Sequence, residues 1–262
     1  HSWYRRQRQM CIRDSSPPFI MSRHIGYLFI APAFVILFFT SIYPVAFSFY
    51  FSFFDWNWGN QENFIGLDNY LFLLTDPEFW TVIYNTFVFA SISCFLEVTI
   101  GIILAIFVDR IVFCSTVIRT ILILPLMVSG IIVSMISKIM FNNLFGVIPY
   151  GLKQIDIRSS FFGSTEAAMP TLIGVDVWWQ TSFVFIIILA ALQGIPNDTV
   201  EAAKIDGASE WDITRFIRLP LIKPIIFLVI IFRSIDTLKI FDLVWGITGG
   251  GPGISTEVVQ TY

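Results

Sequence analysis

Thirty consecutive residues, Ile25 to Phe54, contain no charged side chain. A helix needs about 20 apolar residues to cross the hydrocarbon core of a bilayer, so this run is long enough to span one. Trp56 and Trp58 follow it, in the place of an interfacial aromatic belt. Three comparable runs come later: Phe79 to Val108 is interrupted only by Glu97, Thr120 to Ser137 carries no charge, and Thr171 to Ile195 carries only Asp176. A fifth, Leu221 to Trp245, holds Arg233, Asp236, Lys239 and Asp242 in its second half. Five membrane spans are therefore expected, in an all-α polytopic bundle. Composition agrees, with 56% hydrophobic and 13% charged residues in a chain of 262 and a mean hydropathy of +0.76.

Orientation follows from lysine and arginine near the ends of the spans. One side collects Arg5, Arg6, Arg8, Arg13, Arg23, Arg110, Arg119, Lys204, Arg215, Arg218 and Lys223; the other holds Lys138, Lys153 and Arg158. The N-terminus is expected in the cytoplasm. A net charge of -3 names no nucleic-acid partner. Cys11, Cys94 and Cys114 form no zinc or disulfide spacing, so no metal is expected. Pro32, Pro44 and Pro125 fall inside spans and read as kinks. Phe141 to Ala168 reads as an outer loop with one short helix.

The polar stretch EAAKIDGASEWDITRFIRLP, Glu201 to Pro220, stands between the fourth and fifth runs. Asp198 with Glu201 has capping-box spacing for a helix ending at Gly207. Ser209 with Asp212 starts a second, with an apolar face of Ile213, Phe216 and Ile217, which Pro220 is expected to close before Pro224 opens the fifth span. A bare connection between packed helices needs only about 2 to 8 residues, so a structured cytoplasmic hairpin of this length suits a docking surface. Small Ala202 and Ala203 would admit another backbone. An amphipathic pair lying on the inner leaflet is the competing reading. Against it, Glu201, Asp206, Glu210 and Asp212 offset Lys204, Arg215 and Arg218, whereas surface-seeking helices are rich in cations.

EAAKIDGASEWDITRFIRLPLIKP resembles the EAA loop of the membrane permeases of binding-protein-dependent ABC importers, with Glu201, Ala202, Ala203, Asp206, Gly207, Ala208, Leu219 and Pro220 on the motif positions. NFIGLDNYLFLLTDPEFWTVIYNT and LKIFDLVWGITGGGP resemble the sugar-importing branch of that family, in the maltose or glycerol-3-phosphate style. The resemblance implies a second permease subunit, a pair of cytoplasmic ATP-binding subunits and an external solute-binding protein, in a bacterial or archaeal cytoplasmic membrane. It implies that the hairpin docks on the ATPase, and that residues 21 to 262 form one transmembrane domain. Such permeases have at least six core spans, so a further helix is expected beyond Tyr262. RQRQMCIRDS reads as translated adapter sequence, with Met21 as the start; a basic cytoplasmic anchor is the alternative for residues 1 to 20.

Other constellations are weaker. GITGGGPGIS lacks the Lys-Ser/Thr ending of a nucleotide-binding loop and reads as an outer turn. No nucleophile and base pair is visible, so neither enzymatic activity nor a cofactor is expected, and ATP hydrolysis belongs to a partner. Glu97 inside the second span needs a partner or a proton, and packing against another helix suits it better than substrate contact. Arg233, Asp236, Lys239 and Asp242, three residues apart with alternating sign, either pair along their helix or line a polar path; Lys239 and Asp242 match the family pattern more clearly. Trp178, Trp179 and Gln180, read as opening the fourth span, belong either to an interfacial belt or to a sugar path, since aromatic faces stack on sugar rings. An ion-coupled secondary transporter, using the intramembrane acids as proton carriers, is the rival function. Such a carrier has no use for an ATPase dock.

Overall fold

The computed structural model describes residues 23–57, 63–111, 114–154 and 160–262. The expected foreign tail, residues 1–20, lies outside them. The described chain is mostly helical and falls into two units, divided after Thr75.

The first unit is built on an apolar helix that runs through α1 (Arg23–Leu37), a wide π-helical turn (Phe38–Ile42) and α2 (Tyr43–Phe51). Between Tyr27 and Phe51 its most apolar stretch has a mean hydropathy of 2.1, and nothing in that stretch is buried. A two-residue ribbon follows, β1 (Phe54–Asp55) antiparallel to β2 (Asn63–Phe64), with Phe54 opposite Phe64. In α3 (Asp68–Thr75), Asn69 donates to the carbonyls of Ser52 and Phe54, and the Tyr70 and Ser52 hydroxyls share a 2.6 Å bond.

The second unit centres on two long helices, α4 (Pro77–Arg110) and α8 (Thr165–Gln193). Asp76 caps α4 by accepting from the Glu78 N–H, and Pro77 fits the first helical turn, where its missing N–H costs nothing. The helices approach so closely that a Cβ on Gly101 would sit 2.6 Å from Val184 Cγ1. Among the described residues, they and α1–α2 are the three helices long and apolar enough to cross a membrane.

The third expected span is not one straight helix. Between α5 (Ser115–Ile123), its 3-10 extension (Leu124–Met127) and α6 (Gly130–Met140) the chain bends by 96°. Pro125 has no N–H to donate, and Val128 and Ser129 are extended. The broken pair counts as a fourth crossing if both halves are taken as one span. The fifth run is likewise divided, into α11 (Leu219–Leu238) and α12 (Asp242–Ile247), preceded in the chain by α7 (Val147–Lys153), α9 (Asn197–Ile205) and α10 (Glu210–Asp212). With Lys223, Arg233 and Asp236 inside it, α11 falls outside the group of clearly membrane-crossing helices.

Two apolar clusters fill this unit. One gathers Val98, Ala105, Val108, Phe185, Ile188, Ile222 and Val229 from α4, α8 and α11. The other gathers Phe89, Leu172, Ile173, Val133, Leu243, Val244 and Ile247 from α4, α8, α6 and α12. Along each long helix the clusters meet near Glu97 and Asp176, and both of those side chains are fully buried.

Candidate functional site

Glu97, Asp176 and Arg233 come from three helices, α4, α8 and α11, and meet where the two apolar clusters join. The Arg233 guanidinium grips the Glu97 carboxylate with two hydrogen bonds, Nε to Oε2 at 2.5 Å and Nη2 to Oε1 at 2.9 Å. Nη2 also reaches Asp176 Oδ2 at 3.4 Å, and Nη1 lies 3.7 Å from Asp236. Glu97 is 0%, Asp176 1% and Arg233 2% exposed. A lone charge at this depth would be prohibitive, and the planar guanidinium suits such a site because it serves several carboxylate oxygens at once. The partner that Glu97 needs therefore sits 136 residues away in the chain.

A polar recess of about 220 Å³ opens beside this cluster, lined by Asp176, Trp179, Gln180, Arg233, Asp236, Lys239, Ile240, Phe241 and Asp242. Gln180, Lys239 and Asp242 are thus brought together, as are Arg233 and Asp236. Trp178 is not among them. The helix begins at Thr165, so Trp178 stands near the middle of α8 rather than at its start, and it lines an apolar cavity of about 550 Å³ with Met140, Phe161 and Pro170. Nor do the four alternating charges share a helix: α11 ends at Leu238, Lys239 is its cap, and Asp242 opens α12. Only Arg233 and Asp236 remain an i,i+3 pair.

Two features escaped the sequence reading. Asp176 is the only charge in its run, the same signal that singled out Glu97, and it is a full member of the cluster. Trp179 donates its indole N–H to the Val128 carbonyl at 3.1 Å, satisfying a backbone group that the break between α5 and α6 sets free. A Cβ on Gly130 would lie 2.9 Å from the Trp179 ring and 3.1 Å from Asp242 Oδ2, so a larger residue there would have to push the ring or the carboxylate aside.

The hairpin is the second constellation. α9 starts at Asn197 with no side-chain cap, so Asp198 occupies the first turn and does not cap it; Pro196 precedes the helix with the extended backbone of a cap position. The C-terminal end forms as expected. Gly207 has φ +85°, its N–H bonds the Lys204 carbonyl, and the Ala208 N–H reaches back to Ala203, the paired bonds of a Schellman motif. Ser209 and Asp212 cap each other reciprocally in a capping box. The Ser209 bond pulls the Asp212 carboxyl below its ordinary pKa, and the Lys204 ammonium, 2.9 Å away, does the same for Glu210.

Pro220 does not close the second helix. From Glu210 to Leu238 the helix is continuous, with a wide π-helical turn at Ile213–Arg218. That turn ends two residues before Pro220, where the ring would otherwise crowd the carbonyl four residues back. The apolar face is also divided: Ile213 is fully buried and Ile217 half-buried, but Phe216 is exposed beneath the Arg215 guanidinium. Glu201, Ala202, Asp206, Gly207 and Pro220 are exposed, and Ala203, Ala208 and Leu219 partly so. Ile205 and Trp211, which the sequence reading did not single out, are exposed large side chains on the same hairpin.

Apolar helices of membrane-spanning length, a buried charge cluster that ties two of them to α11, and an exposed helical corner define a multi-pass membrane transport component. The family described as the binding-protein-dependent transport system inner membrane component matches residues 97–262. The trehalose/maltose transport system permease protein of Thermococcus litoralis is 35% identical over 238 residues, covering 90% of this chain and 81% of that protein. A probable starch degradation products transport system permease protein of Thermoanaerobacterium thermosulfurigenes is 33% identical, covering 89% and 80%. A solved bacterial ABC transporter involved in import of the acidic polysaccharide alginate superposes with a TM-score of 0.79 at 26% identity, covering 91% of this chain and 82% of that one. The chain belongs to the binding-protein-dependent inner-membrane transport family, as one of its permeases.

Proposed function

We propose that this permease forms half of the path for a sugar or oligosaccharide, with a second permease subunit supplying the other half. Its cargo arrives from an extracytoplasmic binding protein, and a cytoplasmic pair of ATP-binding subunits hydrolyses the ATP. The observation that carries this reading is the continuous helix from Glu210 to Leu238. One of its ends is the exposed hairpin and the other carries Asp236 and, at its cap, Lys239 in the polar recess. The recess offers carboxylates, an amide and an ammonium, the groups that bond sugar hydroxyls, and Trp179 adds an aromatic wall. Its 220 Å³ is small for a whole saccharide, as suits half a cavity. The trehalose, maltose and starch-product permeases among the relatives support the cargo class.

In this reading the chain crosses the membrane five times, with α5–α6 as a bent third span, α11–α12 as a divided fifth, and the N-terminus in the cytoplasm. The hairpin rests in a cleft of the ATPase through Glu201, Ala202, Ala203, Asp206, Gly207 and Ala208, with Ile205 and Trp211 as apolar anchors and Leu219 and Pro220 at its base. Closure of the ATPase pair then tilts the helices between inward-open and outward-open states. Trp178, facing apolar surroundings, is left out of the path.

Co-purification of the assembled importer tests the dock. Ile205→Asp with Trp211→Asp should release the ATPase subunits and leave the permease in the membrane. Retention of both subunits and of uptake would overturn the docking assignment.

A further inference from the structure

We propose that Asp109 and Arg110 of α4 form a latch with Arg218 and Thr214, making the hairpin, α4 and α11 one lever; this rests on the reading that the hairpin docks on an ATPase. Arg110 Nη2 donates to Thr214 Oγ1 at 2.5 Å and to the Glu210 carbonyl at 3.2 Å. The Thr214 hydroxyl, 1% exposed as a residue, itself donates to that carbonyl at 2.8 Å, so its acceptor side is free for the arginine. One residue earlier, Asp109 Oδ2 lies 3.5 Å from Arg218 Nη1, an ion pair whose side chains are 15% and 14% exposed.

The same two helices are joined again at Glu97 and Arg233. From residue 97 to 109 is about 18 Å of helix, and from 218 to 233 about 22 Å, at 1.5 Å per residue. A helix held at one point pivots. Held at two points this far apart, it neither rolls nor slides without breaking one of them. The apolar packing in between, Val98, Ala105, Val108, Ile222 and Val229, holds register only through side-chain shape, because hydrophobic attraction itself has no direction. The latch adds a register set by charge. Adjacent residues of opposite sign on α4 meet an arginine and a threonine one turn apart, and a slip of one turn would bring Arg218 against Arg110. Movement imposed on Glu201 to Ala208 therefore reaches α4 and α11 together, and with them the recess at Asp236 and Lys239.

The test uses the importer reconstituted in liposomes with its partner subunits, and radiolabelled trehalose, maltose or maltotriose, whichever its binding protein retains. In a chain with Cys11, Cys94 and Cys114 replaced, Asp109→Cys and Arg218→Cys are joined by a short reducible bifunctional thiol reagent. When joined, uptake should stay within about twofold of the cysteine-free parent that keeps Asp109 and Arg218, since the pair never parts during the cycle. Loss of uptake on joining, recovered on reduction, would overturn the latch. By charge exchange, Asp109→Arg should lower saccharide imported per ATP about tenfold, and adding Arg218→Asp should restore it to within about threefold. Equal defects in the single and double variants, or none in either, would also overturn it. ATPase co-purification of each variant reads the dock separately: subunits retained with coupling unchanged in Asp109→Arg sink the latch alone, whereas a wild-type permease that retains none sinks the dock.

Discussion

Charge serves the membrane layer and the hairpin in opposite ways. Glu97, Asp176 and Arg233 are at most 2% exposed, and each depends on the others because almost none of their surface is open to solvent. On the hairpin, the Lys204 and Glu210 side chains are paired just as closely, at 2.9 Å, yet about half exposed. Distance is the same kind of number in both places, but burial decides what it means. Removing one partner of a buried pair leaves a charge with no solvent, while an exposed pair exchanges its partner for water. The hairpin's shape therefore comes from backbone caps, and the layer's from its charges.

The sharpest attempt to break that contrast is Arg233→Ala. It strands two buried carboxylates and should cost about 3 to 5 kcal/mol or abolish folding. Thermal unfolding of the detergent-solubilised permease measures it, and replacement of all three, Glu97→Leu, Asp176→Leu and Arg233→Met, should recover most of the loss. A triple variant no better than the single one would mean that the charges do more than satisfy each other. Trp179→Phe comes next: it leaves the Val128 carbonyl without its donor and should cost about 1 to 3 kcal/mol by the same measurement. Gly207→Ala should cost about 1 to 2 kcal/mol, because alanine resists a φ of +85° although nothing lies within 4 Å of the new methyl. Gly207→Pro cannot adopt that angle at all, and should lose ATPase co-purification as well as stability.

Lys204→Ala is the smallest expected effect, under about 1 kcal/mol once solvent screening is allowed for, and less in high salt. Glu210's pKa is lowered in the fold, so the pair's contribution is present above the ordinary carboxylate value and lost as pH falls through the lowered one. Urea unfolding between pH 7 and pH 3, in wild type and Lys204→Ala, should converge at the acid end. A large difference persisting at pH 3 would mean that Lys204 acts through something other than Glu210.

The long helices were legible because uninterrupted apolar runs leave the backbone few alternatives to a helix in lipid. Gly207 and the Ser209–Asp212 box were legible because each is a local rule acting within a few residues. What stayed hidden was decided at a distance. Nothing near Glu97 in the sequence points to Arg233, and the bend after Met127 is stabilised by Trp179 from another helix. Phe216 fits an apolar face by spacing but is turned out to solvent. Pro220 was misjudged for a different reason: it reads as a helix stop, yet a wide turn placed just before it lets the helix continue.

The first unit handles Pro44 in the same manner, with the wide turn at Phe38–Ile42 also ending two residues short of the ring. A π-helical turn amounts to one residue inserted into an α-helix, and one residue is about 100° of rotation about the axis. The turn at Ile213–Arg218 thus acts as an indexing step between the hairpin and the Leu219–Leu238 part of its helix. Deleting a single residue there would change composition hardly at all and would still point Trp211 and the capping corner toward a different side of the molecule.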